Sequence, residues 1–213
     1  MSNPLKLYHA ANSPNSRRVR IFLAEKGLKP TLIPVDLGVG EQHSDAYRAI
    51  NPRRVVPALR LEDGTTIGEV PAIMRYLDEA FPEVPLLGAT PKDKGLIVMW
   101  ERFAELEGFA PVMEGVRNRA ERLKSRAIAG PHNYEQIPGL VDRSVLRVKN
   151  FLADLNERLE RVSFVAGEQF SAADITALVT IDFARALDIS VPQEHRALMR
   201  WKDEVSGRPS INA

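Results

Sequence analysis

A proline-rich segment divides the sequence into two parts with different hydrophobic patterns. Residues 82–91 hold three prolines and one glycine, a composition that interrupts helices and is typical of a linker between domains. Before this segment, short apolar runs alternate with stretches of helical period, whereas after it every periodic stretch is helical. We therefore predict an α/β domain over residues 1–82, a linker over residues 83–91 and an all-α domain over residues 92–213.

The first part predicts the element order β-α-β-(short α)-β-β-α. Asn15–Lys26 has apolar residues at helical spacing before Gly27, which favours a helix end. Asp63 and Gly64 lie between two apolar runs, as in a β-hairpin. Pro71 suits the first turn of a helix that ends near Phe81. The expected strands are Leu5–Ala10, Thr31–Leu37, Val55–Leu61 and Thr65–Gly68.

The second part predicts a bundle of helices. The expected helices are Lys92–Arg122, Val141–Leu159, Ala172–Leu187 and His195–Ser206. Gly108 and Pro111 should break or bend the first of them. Ser171 and Asp174 have the spacing of a helix-capping box, and the apolar residues Phe170 and Ile175 flank the cap. The start of the third helix is therefore specified by the sequence.

Composition excludes several classes of function. The 29 basic and 28 acidic residues give a net charge of +1 without a basic run, so no nucleic-acid partner is expected. The absence of cysteine excludes disulfides, thiolate metal ligands and a cysteine nucleophile. The histidines show no metal-binding spacing, and no apolar run is long enough to cross a membrane. We expect a cytoplasmic protein with no metal and no membrane partner, in which any thiol chemistry uses a borrowed thiol.

Four short motifs, in this order and spacing, resemble the cytosolic glutathione transferases, in particular the theta-like and related bacterial groups. The motifs are SPNSRRVR at Ser13–Arg20, GEQH at Gly40–His43, NPRRVVPAL at Asn51–Leu59 and GEVPAI at Gly68–Ile73. The resemblance covers essentially the whole chain. It implies a thioredoxin-like N-terminal domain, an all-α C-terminal domain, glutathione as co-substrate, and a homodimer formed by the helices around Met74 and Trp100.

The resemblance places a hydroxyl or amide near the glutathione thiol at the start of the first helix. A thiol with a pKa near 8.5 is only about 3% ionised at pH 7, so its thiolate must be stabilised. Ser13 is the expected catalytic donor, assisted by the N–H groups of the helix. Ser16, Asn12 and Asn15 are alternatives, and Asn15 is also counted among the glutathione-binding residues. The residues alone favour a different interpretation, in which Ser13 only caps the helix and Pro14 occupies its first turn.

The rest of the tripeptide is assigned by the same resemblance. The backbone of Val56, before a cis Pro57, would pair with the cysteinyl unit. Glu69 would bind the γ-glutamyl ammonium, and the helix N-terminus at Val70 its carboxylate. Position 70 is valine where the family commonly has serine, so one hydroxyl donor is missing. The glycine carboxylate would meet Gln42, His43 and Arg54, which could equally be solvated loop residues.

The electrophile is expected to be apolar and to contact Phe109 and Met113, which are four residues apart on a helix. The same pair could equally belong to the core. The resemblance thus implies a detoxifying glutathione transferase that moves the thiolate of glutathione onto an apolar electrophile. The alternatives are a glutathione-dependent peroxidase and a non-catalytic binding protein of the same fold.

Overall fold

The computed structural model describes residues 5–213. The chain forms two compact units. The first extends to Val84 and includes Ala129–His132 and Asn212–Ala213, and the second comprises Pro85–Ile128 and Asn133–Ile211. A mixed sheet with helices precedes an all-helical part, which confirms the predicted fold class. The domain limits at residues 82 and 92 stay a prediction.

Within residues 5–213, no helix combines the length and the apolar character needed to span a bilayer.

The first unit is built on a four-stranded sheet in the order β2-β1-β3-β4. Strand β1 pairs in parallel with β2 and antiparallel with β3, which pairs antiparallel with β4. The third strand is shorter than predicted at both ends, since the ladder begins at Ala58 and stops at Arg60. The Val56–Pro57 peptide bond just before it is cis. The strands are β1 Lys6–His9, β2 Thr31–Pro34, β3 Ala58–Arg60 and β4 Thr66–Gly68.

Three helices pack with this sheet: α1 (Pro14–Glu25), α2 (Asp45–Ile50) and α3 (Val70–Ala80). The apolar face predicted for α1 is buried. Lys26, at the end of α1, forms an ion pair with Asp78 of α3 at 2.9 Å, and both side chains are almost completely buried. Burying two charges is favourable only when each is compensated. Here the carboxylate and the carbonyl of Val84 both accept from the ammonium.

The second unit contains five helices. They are α4 Pro91–Phe103, α5 Ala110–Arg119, α6 Gly139–Leu159, α7 Ala172–Ala184 and α8 Arg196–Ser206. The predicted break near Gly108 is instead a π-helical segment, Ala104–Phe109, that joins α4 to α5. A β-carbon at Gly108 would lie only 2.8 Å from Cε1 of Phe151. Glycine is therefore required for close packing on α6 rather than for breaking the helix.

Asp174 connects the start of α7 to α8. Its carboxylate accepts hydrogen bonds from the backbone N–H and hydroxyl of Ser171 at 2.9 and 3.1 Å, which completes the predicted capping box. It also accepts from the N–H of Val165 and from Nε1 of Trp201, both at 2.8 Å. Burial raises the pKa of Asp174 to about 6, although the four hydrogen bonds act in the opposite direction.

We expect Asp174→Asn to lower the free energy of unfolding at about pH 7 by about 1–3 kcal/mol, because an amide nitrogen would face buried N–H donors. The pH dependence follows from the raised pKa of the folded state. Between about pH 4 and pH 6 the folded protein binds more protons than the unfolded chain, so the stability contributed by this carboxyl falls as the pH rises. The variant should lose that dependence.

Urea denaturation at a series of pH values measures both effects. Asp154→Asn, an exposed position on α6, is the matched control and should change neither quantity. An equal loss of stability in the two variants would contradict the role given to the Asp174 network.

Candidate active site

The register of the sheet brings three of the predicted segments to one end of the first unit. Ala58 pairs with Tyr8 on one side and with Gly68 on the other. The chain leaves β1 at this end toward Ser13, enters β3 here from Pro57, and leaves β4 here toward Glu69. The segments that carry Ser13, Pro57 and Glu69 are therefore attached to neighbouring positions of the sheet, although they lie far apart in the sequence.

Ser13 lies at the junction of β1 and α1 and is the N-cap of the helix. Its side-chain oxygen accepts a hydrogen bond from the backbone N–H of Ser16 at 3.3 Å. A hydroxyl that accepts one bond still has its own hydrogen to donate. The capping role therefore does not exclude donation to a ligand, and the side chain is nearly buried.

The alternatives to Ser13 differ in their surroundings. The hydroxyl oxygen of Ser16 accepts from the N–H of Ala10 at 3.2 Å, and this serine is completely buried. Asn15 accepts from Nη1 of Arg18 at 3.2 Å through its amide oxygen. Asn12 is exposed. Among the four, Ser13 best combines a free donor with a position before the first turn of a helix.

Val56 offers an unpaired backbone edge. Its peptide bond to Pro57 is cis, as the resemblance implies, and its side chain is buried. Within residues 5–213 neither its N–H nor its C=O makes a hydrogen bond. Buried backbone N–H and C=O groups almost always have a hydrogen-bond partner. The free N–H and C=O of Val56 are therefore suited to pairing with the backbone of an extended peptide ligand.

The segment before Val56 is held by two side chains of the same unit. The carbonyl of Val55 accepts from the hydroxyl of Tyr47 at 2.7 Å and from the amide of Asn51 at 2.8 Å. Asn51 also accepts from the N–H of Arg53 at 3.0 Å. Burial raises the pKa of Tyr47 to about 12, so its hydroxyl remains a donor at neutral pH. The position of Val56 is therefore fixed by specific hydrogen bonds.

Glu69 precedes α3 in an unusual conformation. Its φ is 62°, in a region that non-glycine residues adopt rarely and that is often found at functional sites. Its carboxylate is exposed and has no partner within the described residues. Val70, the first residue of α3, is buried, and Pro71 occupies the first turn. A carboxylate and a helix N-terminus thus lie next to each other.

Gln42, His43 and Arg54 lie on segments around α2. Gln42 and His43 belong to a short 3-10 turn, Glu41–His43, and are half-buried. Arg54 has a φ of 54°. Oε1 of Gln42 and Nε of Arg54 are buried and make no hydrogen bond within residues 5–213. Buried polar atoms of this kind usually have a partner, and a carboxylate would suit the guanidinium.

The two predicted electrophile contacts lie in the second unit and differ in burial. Phe109 is buried, and its ring centroid lies 5.8 Å from that of Phe183. Met113, one helical turn further on α5, is half-buried. The pair stays a prediction, in which Met113 is the more accessible member. Within residues 5–213, no group of three acidic or histidine side chains could hold a metal ion.

Sequence reasoning missed the residues that support the site. Tyr47 was not singled out, and Asn51 was named only as the first residue of the third motif. Arg18, which is completely buried and donates to Asn15, was also missed. A buried arginine has no local signature, because its burial depends on the packing of the whole unit.

Comparison with known proteins gives consistent results over both parts of the chain. Residues 7–85 match the family model described as "Glutathione S-transferase, N-terminal domain", and residues 127–209 match the corresponding C-terminal domain. Glutathione S-transferase 2 of Saccharomyces cerevisiae is 32% identical over 99% of this chain and 89% of its own length. Glutathione S-transferase Z1 of Arabidopsis thaliana is 30% identical over 97% of this chain and 83% of its own length.

Solved structures agree in fold over the whole chain. The crystal structure of a glutathione S-transferase domain-containing protein from Marinobacter aquaeolei has a TM-score of 0.87 and 35% identity, covering 97% of this chain and 99% of its own. Gtt2 from Saccharomyces cerevisiae has a TM-score of 0.88 and 33% identity over 97% and 98%. The cis proline, the unpaired backbone of Val56 and the free Glu69 thus occur on a scaffold shared along its full length. The chain belongs to the cytosolic glutathione S-transferase family and is a glutathione transferase.

Proposed function

We propose that this protein binds glutathione on residues 1–82, stabilises its thiolate beside Ser13, and transfers the sulfur to an electrophilic carbon held by residues 92–213. The sulfur forms a bond to that carbon, and the leaving group departs with its bonding electron pair. The glutathione thiol loses its proton to solvent before the attack, since a serine hydroxyl is a hydrogen-bond donor and not a base at neutral pH.

The observation that carries this proposal is the unpaired backbone of Val56. Its N–H and C=O have no partner within residues 5–213, and the segment before it is fixed by Tyr47 and Asn51. The backbone of a cysteinyl residue can supply both a matching acceptor and a matching donor, as an added strand does at a sheet edge. Such pairing would fix the position of the thiol without constraining its ionisation.

Thiolate stabilisation is assigned to the start of α1. The hydroxyl of Ser13 is free to donate, and the N–H of Asn15 has no acceptor within the described chain. Pro14, between them, has no N–H to offer. A charge-assisted hydrogen bond and the partial positive charge of a helix N-terminus both favour the ionised form of the thiol. Together they can lower the thiol pKa by about two units, or about 2.7 kcal/mol.

The two ends of the tripeptide need opposite partners. Glu69 supplies a carboxylate for the γ-glutamyl ammonium, and the start of α3 at Val70 supplies N–H groups for the neighbouring carboxylate. The glycine carboxylate is assigned to Arg54, together with Gln42 and His43, because Nε of Arg54 is a buried donor without a partner among residues 5–213. The pattern of charges thus matches that of glutathione from end to end.

Further parts of the proposal concern assembly and location. The homodimer is assigned to the helices around Met74 and Trp100. Met74 itself is buried within its own unit, whereas α4, which carries Trp100, has three exposed apolar residues. They are Leu96, Val98 and Met99. No metal, nucleic acid or membrane takes part, and the reaction takes place in the cytoplasm.

We expect Ser13→Ala to raise the pKa of the bound glutathione thiol by about one unit, which is the effect of losing one hydrogen bond to the charged form. The value of kcat/KM at about pH 6.5 should fall about fivefold, because the ionised fraction of the thiol falls from about one half to about one tenth, and the difference should shrink at higher pH. Ultraviolet absorbance of the bound thiolate as a function of pH measures the thiol pKa directly.

Thr90→Ala is the control for loss of a helix cap, because Thr90 caps α4 in the same way as Ser13 caps α1. Both variants should lose about 1 kcal/mol of stability, but only Ser13→Ala should change the thiol pKa. If the thiol pKa is the same in wild type, Ser13→Ala and Thr90→Ala, the assignment of Ser13 is wrong.

We expect Arg54→Gln to weaken the binding of glutathione at least about tenfold, since hydrogen bonds between charged groups contribute about 1.5–3 kcal/mol. Glutathione esterified at its glycine carboxylate should lose much less affinity on this substitution, because it no longer presents the charge. Isothermal titration calorimetry with glutathione and with its glycine ester measures the ratio of the two affinities in each protein. Arg48→Gln, an exposed change on α2, should leave the ratio unaltered, and equal losses for the two thiols would exclude a carboxylate contact at Arg54.

A further inference from the structure

Three arginines near the C-terminal end of α5 carry charge that no carboxylate balances. Arg117 lies on α5, and Arg122 and Arg126 follow it in the next segment. Within residues 5–213 none of the three has a carboxylate oxygen within 4.0 Å. Arg119, only two residues from Arg117, pairs with Asp188 at 2.7 Å. The lack of an ion pair therefore applies to these three arginines and not to every arginine at this end of α5.

Arg117 is held in place by one hydrogen bond. Its Nη2 donates to the backbone carbonyl of Arg126, and its Nε is buried without a partner among the described residues. Burial lowers the pKa of Arg117, and the charges of Arg122 and Arg126 lower it further. Withdrawing a guanidinium from water without an acceptor costs free energy. An anionic ligand would remove this cost.

The three arginines are not needed as hydrogen-bond donors to the free carbonyl groups at the C-terminal end of α5. The carbonyls of Arg117 and Ala120 both accept from Nε2 of Gln136, at 2.7 and 2.9 Å. Asn118 accepts from the N–H of Ile137 at 2.8 Å. These bonds are made by neutral groups, and they fix the segment after α5 against the helix. The side chain of Arg117 therefore remains available for a ligand.

Two acidic residues of the neighbouring segments have other hydrogen-bond donors. Glu114 accepts from Arg143 at 3.0 Å and from Ser144 at 2.8 Å. Glu135 accepts from the hydroxyl of Ser125 at 2.6 Å. Neither carboxylate forms an ion pair with the three arginines, so an anion bound there would not compete with an existing protein partner.

Arg117 lies one helical turn from Met113, and both side chains are half-buried. Residues four apart share one side of a helix. A molecule whose apolar body contacts Met113 would therefore place a substituent near the guanidinium of Arg117. An apolar contact followed by a cationic group is suited to an amphiphilic anion.

We propose that Arg117, Arg122 and Arg126 bind the anionic group of the electrophile, so that the preferred substrates are acidic compounds with an apolar body. This inference rests on the proposed function and names the class of its second substrate. A carboxylate is the best match, because the planar guanidinium can donate two parallel hydrogen bonds to it. The arginines stay charged throughout the working pH range of such an enzyme.

Two electrophiles that differ only in charge test the proposal: 4-chloro-3-nitrobenzoate and 4-chloro-3-nitrobenzamide. In both reactions glutathione sulfur bonds to the carbon that carries chlorine, and chloride leaves with the electron pair of the broken bond. The readout is the ratio of kcat/KM for the acid to kcat/KM for the amide. Comparing this ratio among variants cancels the intrinsic reactivity of the two rings.

We expect Arg117→Met to lower the ratio at least about tenfold, since it removes a charge-assisted pair but keeps the apolar length of the side chain. Arg122→Gln combined with Arg126→Gln should lower the ratio about threefold or more, as expected for one exposed and one half-buried charge, and both positions lie outside the α-helices. They keep the test decisive if Arg117→Met fails to fold. Arg119→Gln removes the same charge from the same helix and should change the ratio less than about twofold.

The outcomes separate this inference from the proposed function. If wild type conjugates the amide but the variants leave the ratio unchanged, the inference is wrong and the function stands. If wild type conjugates neither compound, the proposed function fails. Calorimetric binding of the two compounds without glutathione then decides the inference: tighter binding of the benzoate that is lost in Arg117→Met supports it, and equal binding in both proteins overturns it.

Discussion

The pairing of Ala58 with strands on both sides is the constraint on which the candidate site depends. Tyr8 and Gly68 are its partners, so the ends of three strands meet where the sheet stops. A slip of one residue would exchange the two faces of β3 and would move the unpaired backbone of Val56 away from the start of α1. Local sequence at Ser13 or Glu69 would then be unchanged, but the site would not form.

Buried charge is compensated in some parts of this molecule and not in others. Lys26 and Asp78 compensate each other, and Asp174 receives four hydrogen bonds. Arg117 and Arg54 each have a buried Nε that makes no hydrogen bond with any of residues 5–213. Buried charges with hydrogen-bond partners contribute to the stability of the fold. A buried nitrogen without a partner costs free energy in the unliganded protein. Under the two proposals above, a bound anion would offset this cost at each arginine.

The sequence predicted the order of the elements correctly because that information is local. Turn residues, the capping box at Ser171 and the period of the apolar residues act within a few positions of one another. The roles of Tyr47 and Asn51 were not predictable, because they depend on where the segment before Pro57 lies in the folded unit. The arginine cluster was also missed, since an unpaired charge is recognised only when every possible partner has been located. At Gly108 a break or a bend was predicted and the helix instead continues as a π-helical segment, because this glycine is needed for the close approach of Phe151, which the sequence does not show.

The π-helical segment determines on which side of α5 each following residue lies. The N–H of Ala110 donates to the carbonyl of Glu105, five residues back rather than four, and such a turn holds one residue more than an α-helical turn. One residue corresponds to a rotation of about 100° about the helix axis. Loss of a single residue from Ala104–Phe109 would keep the helix continuous yet turn Met113 and Arg117 to a different side. The apolar contact and the cationic group would be rotated together, so the length of this segment determines which side of α5 carries both of them.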